Sequence, residues 1–393
     1  MEIVSSAYHV ISALLVFFVG AAISVVVGKK FRISAVKSLG LYGWHTLFSL
    51  FYCWYALRFG GDAVVYFHKG EFWSGNINVG TSAVVAMSAL LVSGLGLSIV
   101  GTFLVFNIFG QVGLLAFWGS LKEATACKTW RVRWVATLIV FLPSVSFWSS
   151  AIGKDAISFM ATGLALWSAL SLSKRAVLMA FAIFAMFVVR PHMAGIMIMA
   201  IAVAAMVDSN ATLIRKVFLG LFATGVAAAL VPFALRYAGV GEVVDVESLT
   251  DYIDKRQSYN TEGGGGVDLA SMSLPMQLFT YLFRPVLFEA RSVFALAAAI
   301  DNAILLSLFI FGGLALIKGR DSGLSENRVF MWAYALVAWF VLAMTSANLG
   351  IAMRQKWMFA PMLIFLFISV VGRERYVPDP NLATAGQGSK KDV

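Results

Sequence analysis

The chain has 393 residues, 60% of them apolar and 13% charged, with a mean hydropathy of +0.85. Soluble domains carry roughly 25% charged residues and could not keep so large an apolar share out of water, so the composition excludes a soluble enzyme, a disordered chain and a secreted disulfide scaffold. The net charge of +10 would suggest nucleic acid in a soluble protein, but here it is first a matter of topology, because basic residues collect in the cytoplasmic loops of membrane proteins.

Eleven apolar segments follow in chain order, at about 7–27, 39–58, 94–119, 134–150, 156–172, 176–189, 193–207, 217–235, 294–316, 329–346 and 358–372. At about 20 residues per crossing they occupy roughly 220 positions. They predict an all-α polytopic membrane protein with about 11 transmembrane helices. The first segment follows MEIVSSAYHV, which has no basic n-region, and is long enough to stay as a helix. Segments six and seven are short and read as a pair bent around Arg190-Pro191.

Region 80–120 is too long for one helix and barely enough for two, and charge decides its reading. Lys29, Lys30, Arg32 and Lys37 follow the first span, and Lys122, Lys128, Arg131 and Arg133 follow the ambiguous region. Both clusters are expected on the cytoplasmic side, so region 80–120 crosses once and residues 80–92 lie along the outer surface as an amphipathic or re-entrant piece. Later clusters keep the alternation: Lys174/Arg175, Arg215/Lys216, Lys318/Arg320/Arg328, Arg373/Arg375 and Lys390/Lys391. The N-terminus is then outside and the C-terminus cytoplasmic.

Of the 30 basic residues, 19 fall inside. The remaining 11 are Arg58, Lys69, Lys154, Arg190, Arg236, Lys255, Arg256, Arg284, Arg291, Arg354 and Lys356, which sidedness does not explain. Two outer loops stand out, about 59–93 and 236–293. The second holds a run from Gly263 to Gly266 that reads as a linker, and acidic residues that read as a solvated face. Residues 1–375 form a single transmembrane domain and 376–393 a disordered cytoplasmic tail. Cys53 and Cys127 give no disulfide framework.

Several candidate groups share the outer ends of spans. Asp62 lies just past the second span, with Tyr66 four residues later. Lys154-Asp155 occupies the connection between spans four and five, and Arg190 and His192 the next outer turn. Arg284 closes the long loop, and Arg354 and Lys356 precede the last span. Each cation alone could snorkel to headgroups. Together, Lys154, Arg190, Arg284, Arg354 and Lys356 form a cationic face suited to a pyrophosphate, whose oxygens match the guanidinium fork. Cations there would stabilise charge developing on a leaving pyrophosphate. Asp62, Asp155 and His192 are the candidates to take a proton from an acceptor hydroxyl. No cluster has metal-ligand spacing, and no cofactor is expected.

The segments GDAVVYF, FWSSAIGKDA, VRPHMA, LFRPVLFEAR and ANLGIAMRQKW resemble bacterial O-antigen and exopolysaccharide repeat-unit polymerases (Wzy-type), within the wider GT-C-like membrane glycosyltransferases. The resemblance spans roughly 60–360. It implies elongation of an undecaprenyl-pyrophosphate-linked glycan on the periplasmic face of a bacterial inner membrane, in company with other polysaccharide assembly proteins and without nucleic acid. It also implies that Arg190, Arg284 and Arg354 hold the donor pyrophosphate. Asp62 stands where many GT-C enzymes carry a first-loop carboxylate, but it lacks the adjacent acid those enzymes pair with it. A transporter or flippase for lipid-linked sugar is the alternative, with Asp301, inside the ninth span, as its main support; a non-catalytic assembly subunit is a third reading.

Overall fold

The computed structural model describes residues 6–207, positions 212–214, 216–222, 224–225 and 228, and residues 272–320, 322, 327–346 and 349–372. The tetraglycine, the acidic residues of the long loop from Glu242 to Asp268, most of the eighth apolar segment and the tail from 376 lie outside the described residues. Among the described residues the chain is all helical, with no strand. Fifteen helices concern us: α1 (Ala7–Lys30), α2 (Ala35–Phe59), α3 (Asp62–Glu71), α4 (Thr81–Ala89), α5 (Ile99–Ala124), α6 (Trp130–Val140), α7 (Pro143–Trp148), α8 (Lys154–Ala169), α9 (Leu172–Val189), α10 (Pro191–Val207), α11 (Leu274–Phe283), α12 (Val293–Ile317), α13 (Arg328–Met344), α14 (Leu349–Gln355) and α15 (Ala360–Ile368).

Burial in α1 is reversed from that of a soluble helix. Its inward residues are Ser12, Gly20, Ser24 and Gly28, whereas Leu14, Leu15, Phe18 and Val26 are exposed. That pattern suits lipid, where large apolar side chains face outward at no penalty and small ones let helices approach. Helix α5 is the central element, packed against α1, α2, α6 and α8. Its contact with α8 is nearly backbone to backbone: a β-carbon on Gly113 would lie 2.8 Å from the Cα of Met160.

By length and apolarity, five helices can cross a membrane: Ala7–Lys30, Ile99–Ala124, Trp130–Trp148, Leu172–Val189 and Ala295–Ile317. The pair Leu349–Met358 and Ala360–Ile368, bent by 62°, makes a sixth if it acts as one span. Shorter apolar helices cover Thr81–Gly94, Pro191–Val207 and Arg328–Met344. The structure thus supports fewer full-length spans among the described residues than the eleven apolar segments suggest, for physical reasons. Helix α8 has 16 residues, about 24 Å of rise, short of a ~30 Å hydrocarbon core. Helix α2 has the length, but its inward face carries Ser38, His45, Thr46 and Ser49. Proline splits another segment: Pro191 opens α10 after α9, the bend expected at Arg190-Pro191. In region 80–120 a single long helix, α5, follows the short α4 and one π turn at Leu90–Gly94.

Candidate functional site

Four helix ends meet at one end of the bundle. Helix α2 stops at Phe59, and Gly60 and Gly61 take φ of +80° and +148°, conformations that a β-carbon disfavours. This turn starts α3 with Asp62 as its first residue, where the helix dipole favours a carboxylate. Asp155 sits in the first turn of α8 beside Lys154. Arg190 occupies the break between α9 and α10, its own N–H still donating to Met186 O at 2.6 Å. Arg354 lies near the end of α14.

These residues, more than a hundred positions apart in the extreme case, form one charged cluster. Arg190 Nη2 donates to Asp155 Oδ1 at 2.6 Å. Arg354 Nη1 donates to Asp62 Oδ2 at 2.9 Å, and its Nε lies 3.1 Å from Asp155 Oδ2 without hydrogen-bond alignment. Asp155 therefore bridges two guanidinium groups. The Nε donors of both Arg190 and Arg354 are buried without a hydrogen-bond acceptor. Buried donors left in this way cost free energy.

The cluster lines a cavity of about 300 Å³ that also takes in Tyr52, Tyr66, Lys154, His192, Thr345 and Gln355. Counted at formal charge, three cations against two carboxylates leave one positive charge. Arg190 is only 6% exposed, so its charge acts through a medium that screens poorly. Burial, reinforced by Asp62, pushes the Tyr66 phenol up to about 12. Tyr66 is thus a neutral hydroxyl at physiological pH. Among the described residues no group of three His, Cys, Asp or Glu side chains could hold a metal ion.

Of the residues singled out from sequence, Asp62, Lys154, Asp155, Arg190, His192 and Arg354 all line this cavity. Arg284 and Lys356 do not. Arg284 is engaged with Glu289 through two contacts, Nη2–Oε1 at 2.6 Å and Nε–Oε2 at 3.0 Å, while Val286 N–H also donates to Oε2. The Arg284 hydrogen bond holds the Glu289 carboxyl below its ordinary range. Lys356 is 1% exposed and points into the bundle, where its ammonium donates to Asn302 Oδ1. Its place two residues after Arg354 suggested a second site cation, but residues two apart on a helical run face opposite ways.

Other side chains at the site were not distinguished by sequence. Tyr52 lines the cavity and stacks on Phe147 with ring centroids 4.2 Å apart. Tyr281, fully buried with its hydroxyl unpartnered, lies within electrostatic reach of Arg190, Asp155 and Arg354. Both belong to apolar helices in which an aromatic residue carries no mark of function. Comparison with known proteins adds no relative: no family model, no curated protein sequence and no solved structure matches the chain.

Proposed function

We propose that the chain is a membrane glycosyltransferase that extends a glycan carried on undecaprenyl pyrophosphate, in the manner of a repeat-unit polymerase. The reading includes its finer topology: a GT-C-like bundle of eleven crossings in a bacterial inner membrane, with the cavity end periplasmic. The observation that carries it is the pair of guanidinium groups meeting over Asp155 at the cavity wall. An oxyanion entering the cavity would meet a formal surplus of positive charge held in place by Asp155 and Asp62, the kind of electrostatic preorganisation that stabilises a departing pyrophosphate.

The carboxylates have a second task in this reading. When a pyrophosphate engages Arg190 and Arg354, Asp155 and Asp62 lose part of their pairing, and either carboxylate, or His192, is placed to accept the proton of the attacking sugar hydroxyl. The bond from the anomeric carbon to phosphate breaks, the acceptor oxygen bonds that carbon, and undecaprenyl pyrophosphate leaves. Tyr52 and Tyr66 offer apolar ring faces beside the charges, a common setting for a sugar ring.

The test is genetic and biochemical together. A strain lacking the chain should accumulate single repeat units on the lipid carrier at the periplasmic face, and Arg190→Ala and Arg354→Ala should fail to restore long chains while still inserting. Normal chain length in the deletion strain overturns the reading. Single units trapped at the cytoplasmic face overturn it in favour of a transporter.

A further inference from the structure

Inside the bundle, away from the cavity, α12 carries two adjacent polar residues, Asp301 and Asn302, each 1% exposed. Ionisable groups at such depth are expensive and rarely incidental. Asp301 Oδ2 accepts the backbone N–H of Ser144 at 2.7 Å, in the first turn of α7. Asn302 Nδ2 donates to the carbonyl of Pro285 at 3.0 Å, and its Oδ1 accepts from the Lys356 ammonium. Asp301 also lies within electrostatic reach of that ammonium. Two consecutive residues of one helix thus tie down three separate segments.

Each tied segment leads directly to charged groups already described. Lys356 follows Arg354 by two residues. Pro285 follows Arg284. Helix α7, Pro143–Trp148, is followed by the turn that delivers Lys154 and Asp155. The segment bearing Arg354 is the most dependent on its tie, because α14 has only seven residues and is followed at once by the 3-10 turn. A helix of that length does not hold itself together.

We propose that Lys356 is a positioning residue: anchored on Asn302 and balanced by Asp301, it fixes the end of α14 so that Arg354 stays between Asp62 and Asp155. This deepens the functional reading above, whose cavity it would keep assembled, yet the geometry it claims exists without any substrate. Lys356 does not touch the cavity contents; it acts through the backbone of residues 354–356.

The experiment follows the reactivity of single arginines toward phenylglyoxal in the full-length purified chain, read by peptide mass spectrometry. In Lys356→Met and Asn302→Leu, Arg354 should be modified several-fold faster than in the parent protein, while Arg190, held by Asp155 on a different element, stays at the parent rate. The double variant should match either single one, because both changes remove the same bond. Unchanged Arg354 reactivity overturns the proposal. Equal acceleration at Arg190 also overturns it, since that reports general loosening. Should Lys356→Met fail to fold, Asn302→Leu and the charge-balanced Asp301→Asn/Lys356→Met carry the same comparison. Added inorganic pyrophosphate tests the functional reading separately: it should protect Arg190 and Arg354 in the parent protein, and absence of protection there counts against the cavity's assignment while the reactivity comparison still judges Lys356.

Discussion

Replacing Asp155 with alanine removes the shared anion from two guanidinium groups at once. Its carboxylate contacts Arg190 at 2.6 Å and Arg354 at 3.1 Å, with the Arg190 side chain 8% exposed and the Asp155 side chain 16%. Removing one partner of a buried ion pair costs about 3–5 kcal/mol, most of it from the charge left without compensation. Arg354 keeps Asp62 after the change, so the main loss falls on Arg190 and the lower end, ~3 kcal/mol, applies. Asp62→Ala makes the contrast: its side chain is 56% exposed, and such a pair is worth about 0–1 kcal/mol. Reversible unfolding in mixed dodecyl maltoside and SDS micelles would measure both. Asp155→Leu/Arg190→Met, which deletes charge and countercharge together, should recover most of the loss. A cost for Asp155→Ala within ~1 kcal/mol of the parent, or no recovery in the double variant, would refute the view that Asp155 is the hub of the cluster.

Other outcomes follow from single contacts. Arg284 holds Glu289 below its ordinary value of 4.5, so their pairing contributes stability above about that pH and loses it as pH falls through the lower value of the folded state. Glu289→Gln should therefore cost about 1 kcal/mol at neutral pH and nothing in strong acid, by the same unfolding assay at several pH values. Tyr66 shows the opposite sign. With its phenol raised to about 12, the unfolded chain ionises first, so stability should fall as pH rises past 10, and Tyr66→Phe should flatten that decline. Gly163→Ala places a methyl group against the backbone of Gly113 and should cost about 1–3 kcal/mol. Gly313→Ala meets nothing within 4 Å and should be neutral or stabilising by up to ~1 kcal/mol through helix propensity.

The helical class was legible in composition, and the break at Pro191 was legible as a proline between two short apolar runs. Span count was not, because hydropathy adds up residues without knowing which face they take. Helix α2 reads as an ordinary span until its inward Ser38, His45, Thr46 and Ser49 are seen together, and the last apolar segment gains α14 only in the structure, as a pair bent by 62°. At the site, six of the residues selected by charge at span ends share one cavity. Lys356 is not among them because residues two apart on one helical run face opposite ways, so the run that brings Arg354 to the cavity turns Lys356 into the bundle. Arg284 is not among them because its partner, Glu289, lies only five residues on and satisfies the guanidinium locally. Tyr52 and Tyr281 were hidden for a different reason: in a chain with 14% aromatic residues, an aromatic on an apolar helix is indistinguishable from packing.

The basic surplus can now be divided more finely than by sidedness. Arg284 is neutralised within its own turn, and Lys356 is buried against Asn302 and Asp301, so neither adds to the field of the cavity. What remains there is Lys154, Arg190 and Arg354 against Asp62 and Asp155. Arg190 and Arg354 are already paired with these carboxylates, and an anion entering the cavity exchanges one set of charge contacts for another instead of meeting bare guanidinium groups. Such an exchange moderates affinity, because the carboxylates compete for the same donors, and it favours release, because the carboxylates reclaim the arginines when the anion leaves. A site built of unpaired arginines alone would bind pyrophosphate tightly both before and after reaction. On the proposed function, interleaved carboxylates would let the same cavity bind a lipid-linked pyrophosphate, stabilise its departure and empty again.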